Sequence, residues 1–289
     1  MSRIDRWIRI VVESDVEELN LCFDNPRIKH YCVPKSVLVA NSLTVLNLGY
    51  CKLDSTGGGH MHLSSLKKLS LHEVYVDDQF FQNLVVGCPL IEFMSFNLCS
   101  GLKSIKLPDL PKIRAIEVKD NRHLERVELE SSNLYKVVIE QTATPCEINL
   151  VHCKNIKELK LRAHITDKWL HDHLSELPLI EILSLVVCSK LERIKISSHH
   201  LKSLELLACA NLVEVKIDAP NLCRLWYYYK TIISFSINGL ALSEAIYHSM
   251  SGIVPWNVER IEFLSKLSNS KVLKLMFPSN EVLWFFFFN

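Results

Sequence analysis

One spacing of apolar residues recurs along the chain: an apolar residue, two others, a second apolar residue, one other, and a third. It begins at Val16/Leu19/Leu21 and recurs at Leu43/Leu46/Leu48, Leu66/Leu69/Leu71, Ile91/Met94/Phe96, Leu102/Ile105/Leu107, Ile113/Ile116/Val118, Leu124/Val127/Leu129 and Leu134/Val137/Ile139. Further copies start at Ile156, Ile180, Leu191, Leu201, Leu212 and Leu222, the last being Leu222/Leu225/Tyr227, and a late one is Val258/Ile261/Phe263. The second and third apolar residues of each copy lie two apart, so they share one face of a short strand while the residue between them takes the other face.

This is the pattern of a leucine-rich repeat, in which each unit buries its leucines only against its neighbours. From Leu43 to Leu66 to Ile91 the copies start 23 and 25 residues apart, whereas from Ile91 to Leu134, and again from Ile180 to Leu222, they start every 10 or 11. Alternate copies are therefore read as strands of one sheet, and the intervening copies as strands or extended segments on the opposite side. The predicted fold class is α/β, a curved leucine-rich-repeat solenoid with a parallel sheet on its concave face and short helices mixed with extended segments on its convex face. One repeat domain is expected over 1–289: an N-terminal cap remnant at 1–15, regular repeats at 16–229, and irregular repeats with the chain end at 230–289.

Two helices interrupt the extended segments. The stretch Val76–Leu107 matches Ile165–Ile196 without gaps at an offset of 89 residues, about four repeats. In each, an Asp (Asp78, Asp167) stands where an N-cap is expected, an apolar stripe follows (Phe80/Phe81/Leu84/Val85 and Trp169/Leu170/Leu174), and Pro89 or Pro178 stops the helix. The phase is ambiguous at Pro145–Leu150, where a cysteine falls one step later than the pattern places it. Gly239–Trp256 reads as irregular, and two final copies near Val258 and Leu273 close the stack.

Composition narrows the function classes. The 289 residues are 48% hydrophobic and 22% charged, with 33 Lys+Arg against 32 Asp+Glu, so the net charge of +1 offers no sequence-wide attraction to nucleic acid or a membrane surface. The longest apolar run, Val282–Phe288, falls far short of the roughly 20 residues of a spanning helix. Ten cysteines spread from Cys22 to Cys223 without a C-x-x-C pair suit a reducing compartment, and the N-terminus lacks an apolar signal core, so a cytoplasmic or nuclear location is expected. Cys51, Cys99, Cys188 and Cys209, like Asn121, fall eight residues after the first apolar residue of their copy. There the chain turns and buried backbone groups want a small polar side chain, which is a structural role.

Signals for catalysis and metal binding are weak. His60-x-His62 follows Gly57, Gly58 and Gly59 but lacks the third and fourth ligands zinc wants. His171 and His173 point to different faces of a helix, and His199-His200 reads as a solvated turn. No G-x-S-x-G, P-loop, G-x-G-x-x-G or H-E-x-x-H occurs. The reading is a non-enzyme without cofactor or metal.

Recognition then falls to the outward residues between the ladder leucines, among them Asn47, Ser70, Ser95, Glu117, Lys160, Ser184, Glu205 and Trp226. Arg224, Trp226 and Tyr228 alternate with the ladder residues Leu225 and Tyr227, and an exposed Arg-Trp-Tyr set has the composition of a binding hot spot. A covering segment over Trp226 is the alternative. Lys160 and Arg162 could meet an anionic segment or simply be solvated. The candidate partner-binding residues are thus Arg224, Trp226, Tyr228, Lys160, Arg162 and Glu205, with a protein on the concave face as partner and no nucleic acid or membrane.

The order of features resembles the plant F-box/leucine-rich-repeat proteins of the FBD-associated type. It is carried by RWIRIVVESDVEELNL, YCVPKSVLVANSLTVLNLGYCKL and LSSLKKLSLHEVYVDDQFFQNLVVGCPLIEFMSFNLCSGLKSIKL, then by CSKLERIKI, APNLCRLWY and VERIEFLSKLSNSKVLKL. The resemblance implies substrate recognition for a cullin-based (SCF-type) ubiquitin ligase. Family members begin with an F-box that docks on a Skp1-type adaptor, and many end in an FBD region. This chain starts just beyond where the F-box should end and stops at NEVLWFFFFN, so an adaptor is expected only for a longer form. An adaptor-free scaffold from a truncated gene and a solenoid with a small-ligand pocket remain open alternatives.

Overall fold

The computed structural model describes residues 3–23, 31–53, 61–142, 144–229, 234–238, 242–249, 258–268 and 270–277. They divide into two compact units, Met1–Ile156 and Lys157–Asn289.

The first unit opens with helix α1 (Arg3–Glu13) and strand β1 (Glu18–Cys22), followed by a 3-10 turn at Lys35–Val39. Next come β2 (Val45–Gly49), β3 (Lys68–His72), α2 (Asp78–Gly87), β4 (Phe93–Asn97), β5 (Ser104–Leu107), β6 (Ala115–Lys119), β7 (Arg126–Leu129), β8 (Lys136–Gln141) and β9 (Glu147–Asn149). One parallel sheet runs β1-β2-β3-β4-β6-β8 and a second runs β5-β7-β9, as the half-repeat spacing predicts. The register is strict, so Leu46, Leu69, Met94, Ile116 and Val137 form one buried row and Leu48, Leu71, Phe96, Val118 and Ile139 another. Each such side chain gains about 1.5–3 kcal/mol from burial.

In the second unit β10 (Glu158–Ala163), α3 (Asp167–Glu176), β11 (Ile182–Val186), β12 (Arg193–Ser197), β13 (Ser203–Leu207), β14 (Glu214–Asp218) and β15 (Arg224–Tyr229) repeat the scheme. They are followed by β16 (Ser234–Asn238), β17 (Glu244–Ser249), α4 (Val258–Leu267) and β18 (Val272–Met276). The parallel orders are β10-β11-β13-β15-β17-β18 and β12-β14-β16. Tyr227, Phe235, Tyr247 and Phe263 pack ring against ring, with centroids of neighbours 4.9–6.2 Å apart, and close the core of this unit.

The strands end by a common device. Tyr50, Glu73, Leu98, Asp120, Val187 and Ala208 follow their strands with φ of 44–55°, the left-handed region that non-glycine residues avoid. Each sends its N–H to a carbonyl of the next repeat, over 2.7–3.0 Å. The turn aims the following side chain inward, which is why Cys51, Cys99, Asn121, Cys188 and Cys209 are buried where the spacing expects them. Before many of the strands a second turn closes with the ladder residue donating back three residues, often to a small residue, as in Leu134 to Ser131 and Leu222 to Ala219. Ile156 donates in the same way to Cys153, and this settles the phase that the sequence left ambiguous: Cys153 opens the turn before β10. Asn side chains stitch these turns together, Asn211 to the Ser189 carbonyl at 2.7 Å and Asn221 to that of His199 at 2.6 Å.

Several expectations need correction. The helix caps are Asp77, which accepts from the Phe80 N–H at 2.7 Å, and Thr166, which accepts from Trp169 at 3.2 Å. Asp78 and Asp167 do something else: each carboxylate reaches across to two backbone N–H groups at the start of a strand of the second sheet, Lys103 and Ser104 at β5 in one unit, Glu192 and Arg193 at β12 in the other. An acidic residue at the first helical position still suits the helix dipole. The stripe of α3 is thinner than expected, since Leu170 is buried but Trp169 and Leu174 are only half-buried. Val258/Ile261/Phe263 does not form a strand; it lies in α4, where Phe263 and Leu267, four apart, face the core. Within the stretch read as irregular, Glu244–Ser249 is a strand in register with β15.

Candidate partner-binding face

The outward face of the second unit's sheet is built by register. Lys160, Ser184, Glu205, Trp226, Ile246 and Lys274 stand in one cross-strand row. A row toward the strand starts holds Glu158, Ile182, Ser203, Arg224, Glu244 and Val272, and one toward the strand ends holds Val186, Leu207, Tyr228, His248 and Met276. At about 4.8 Å between strands, Lys160 lies some 14 Å from Trp226. Glu205 is Trp226's direct neighbour.

Within β15 the alternation expected from the sequence holds. Leu225 and Tyr227 are each 1% exposed, Arg224 is exposed, and Trp226 and Tyr228 are half-buried. Lys160 is exposed, and Arg162 and Glu205 are half-buried. The face thus brings Arg224, Trp226, Tyr228 and Glu205 together, with Lys160 and Arg162 at its far side on β10. The Glu205 carboxylate accepts from the Ser184 hydroxyl at 2.7 Å, which fixes its position beside the indole. Glu244 pairs with Lys274 at 2.6 Å, and that hydrogen bond, with the field of Arg224, holds its carboxyl below the usual range.

His248 and Ile246 belong to this face and are missing from the set of residues read from sequence. The Tyr228 and His248 rings lie 4.5 Å apart, and burial pushes the Tyr228 phenol up and the His248 imidazole down, keeping both neutral near pH 7. The signal was present as Leu242-x-x-Ala245-x-Tyr247, where Ala and Tyr replace the usual aliphatic residues.

In the first unit the central outward row is polar over five strands, Asn20, Asn47, Ser70, Ser95 and Glu117, before it reaches Val138, with Asn47 donating to Asn20; in the row beside it Asn97 donates to His72 at 3.1 Å. Other candidates stay apart from any site. His171 is exposed while His173 stacks on Trp169 at 3.9 Å, and the exposed His199 and His200 border an open groove of about 280 Å³ beside Leu177 and Ile196. His60 and Gly57–Gly59 lie outside the described residues. Among the described residues no three His, Cys, Asp or Glu side chains are grouped to hold a metal ion, and no helix is long and apolar enough to cross a membrane.

Strict parallel register, leucine rows and one turn per 20–28 residues define a leucine-rich-repeat solenoid, and the chain is a protein-interaction scaffold of that class. The profile of the At1g61320/AtMIF1 leucine-rich-repeat domain matches residues 1–163 and 143–283, so the chain belongs to that family. Curated relatives in Arabidopsis thaliana include the F-box/LRR-repeat protein At3g03360, 25% identical over 76% of this chain and 46% of its own length. The F-box/FBD/LRR-repeat protein At1g13570 is 28% identical over 47% of this chain and 36% of its own length. The resemblance to plant F-box/leucine-rich-repeat proteins therefore holds, and the chain spans less than half the length of these relatives. A solved structure, "Crystal structure of TLR13-ssRNA13 complex", is similar at 14% identity with a TM-score of 0.44, over 94% of this chain and 45% of that one.

Proposed function

We propose that this protein is the substrate-recognition region of an F-box-type subunit of an SCF ubiquitin ligase, working in the cytoplasm or nucleus, and that it binds a protein partner on the outward sheet face of its second unit without catalysing a reaction itself. The observation that carries the reading is the alternation in β15, where Arg224, Trp226 and Tyr228 face outward while Leu225 and Tyr227 hold the core. Large planar side chains lose little rotamer entropy on contact and bury much apolar area, so a half-buried Trp beside a Tyr and an Arg suits the centre of an interface. Glu205, Lys160 and Arg162 supply the polar rim, with Lys160 and Arg162 fitted to an acidic segment of the partner.

The ligase role is tested by reading the gene upstream of Met1 and expressing any longer product it encodes. An in-frame F-box upstream of Met1, and co-purification of that longer product with a Skp1-type adaptor, are expected; a full-length product without either would leave an adaptor-free scaffold. We likewise propose that 1–289 forms one repeat domain, which the gap-free 89-residue offset in the sequence supports. Small-angle scattering should then show one elongated particle, and two lobes on a linker would contradict it.

A further inference from the structure

Helix α1 covers the first unit with only part of its apolar surface. Ile8 is 5% exposed, but Trp7 is 68%, Ile10 53% and Val11 38% exposed, and these three are spaced i, i+3 and i+4, one stripe on the solvent side. So much exposed apolar surface on a single short helix marks an interaction site. The charges around the stripe are ordered. Arg3, Arg6 and Arg9 occupy the N-terminal two turns and Glu13 the last turn, all exposed. The one acid of the N-terminal half, Asp5, accepts the Tyr31 hydroxyl at 2.6 Å and is turned away from the stripe. None of Arg3, Arg6, Arg9 and Glu13 is held in an ion pair among the described residues.

This order runs against the helix dipole, which favours acids at the N-terminus and bases at the C-terminus. A helix with a basic start, an acidic end and an apolar stripe between them is complementary to itself when the second copy runs antiparallel. Arg6, Ile10 and Glu13 lie on one line of the helix, i, i+4 and i+7. A two-fold axis near residues 9 and 10 sets Arg6 beside Glu13 of the second copy, and Glu13 beside its Arg6, with Trp7 and Ile10 packed across the axis. That is the isologous geometry of a two-fold dimer. We infer that α1 is the contact through which two copies of this chain associate, weakly and reversibly, because one helical stripe buries less than the roughly 1,000 Å² of a standing interface. This contact is independent of the partner-binding face.

Sedimentation equilibrium on the 1–289 chain tests it. The wild type should shift from monomer toward dimer as its concentration rises to about 100 µM, a range suited to weak association, and less so at high salt. Trp7→Asp should abolish the shift with an unaltered circular dichroism spectrum, since Trp7 lies outside the core. Arg6→Glu alone and Glu13→Arg alone should each weaken the dimer at least several-fold, and the double variant should restore it, because each copy then carries the reversed pair. A chain that stays monomeric throughout, a dimer that survives Trp7→Asp, or a double variant no better than the singles overturns the inference. A monomer that instead binds phosphatidylserine vesicles through Trp7 overturns it in favour of a membrane surface.

Discussion

Asn121 and Gln141, one repeat apart, hold each other by a reciprocal clasp: the Asn121 N–H donates to Gln141 Oε1 at 2.5 Å, and Gln141 Nε2 donates to the Asn121 carbonyl at 2.9 Å. The Asn121 side chain repeats the move one step earlier, accepting from the Cys99 N–H at 2.9 Å and donating to the Phe96 carbonyl at 3.0 Å. Both side chains are almost fully buried, so these bonds satisfy backbone groups that no water reaches. Gln141→Leu keeps the volume and leaves the Asn121 N–H without a partner, which costs about 1–3 kcal/mol. Urea unfolding should show the midpoint falling accordingly. An unchanged midpoint would mean that the turn relaxes to find another acceptor.

Val187 carries the opposite kind of liability. A β-branched residue at φ 52° is strained, its side chain is 41% exposed, and its equivalent in the first unit, Leu98, has φ 54°. Val187→Gly removes strain of about 1–3 kcal/mol against an entropy loss of about 0.5–1 kcal/mol. A net gain near 1 kcal/mol is expected, seen as a Tm raised by about 2–4 °C. A lowered Tm would show that the valine contributes packing that outweighs the strain.

What the sequence showed and what it hid follow from the same physics. Ladder rows were legible because the core imposes a period of two within strands and 20–28 between them, and Tyr227 kept its place although it is not aliphatic. The helix caps were misplaced by one residue because Asp77 and Asp78 are both capping types, as are Thr166 and Asp167. Only the fold reveals that the second of each pair reaches a strand 25 residues on. β17 escaped notice because Ala245 and Tyr247 satisfy the ladder with unusual volumes, and His248, part of the binding face, was lost with it. In α4 the residues fit the strand template and a helical stripe equally well.

Glu181 bridges two lysines, Lys157 at 2.9 Å and Lys202 at 2.6 Å, and these hydrogen bonds, Lys202's first, lower its carboxyl to about 2. A carboxylate depressed in the fold stabilises above its unfolded value of about 4.5 and loses that contribution as pH falls toward 2. Glu181→Gln should therefore melt slightly below wild type at pH 6, and the two should converge between pH 4.5 and 2.5. A constant difference across that window would contradict the assignment. All three side chains reach solvent, so the effect is small and falls with salt.

Thiol reactivity should sort by burial. Burial pushes Cys51, Cys88, Cys99 and Cys153 up to about 12, and Cys188, hydrogen-bonded to the equally buried Cys209, is raised as well. Cys22 and Cys32 are exposed. A disulfide reagent at pH 8 should label Cys22 and Cys32 quickly and the buried six only as the protein opens, read by mass spectrometry. Rapid native labelling of Cys99, Cys188 and Cys209 would contradict their placement in the turns.

The most direct test of the account is a paired measurement on Trp226→Ala. The folded wild-type chain and the variant are each immobilised, and the proteins retained from a plant cell extract are quantified by mass spectrometry alongside the thermal midpoint. Truncating a central Trp costs on the order of 2 kcal/mol of affinity, so at least one protein bound by the wild type should fall roughly thirtyfold on the variant. The midpoint should move by no more than about 3 °C, since a cross-strand contact contributes under about 1 kcal/mol. Equal retention of every bound protein, with a midpoint that drops sharply, would place Trp226 in the core and remove the proposed binding face.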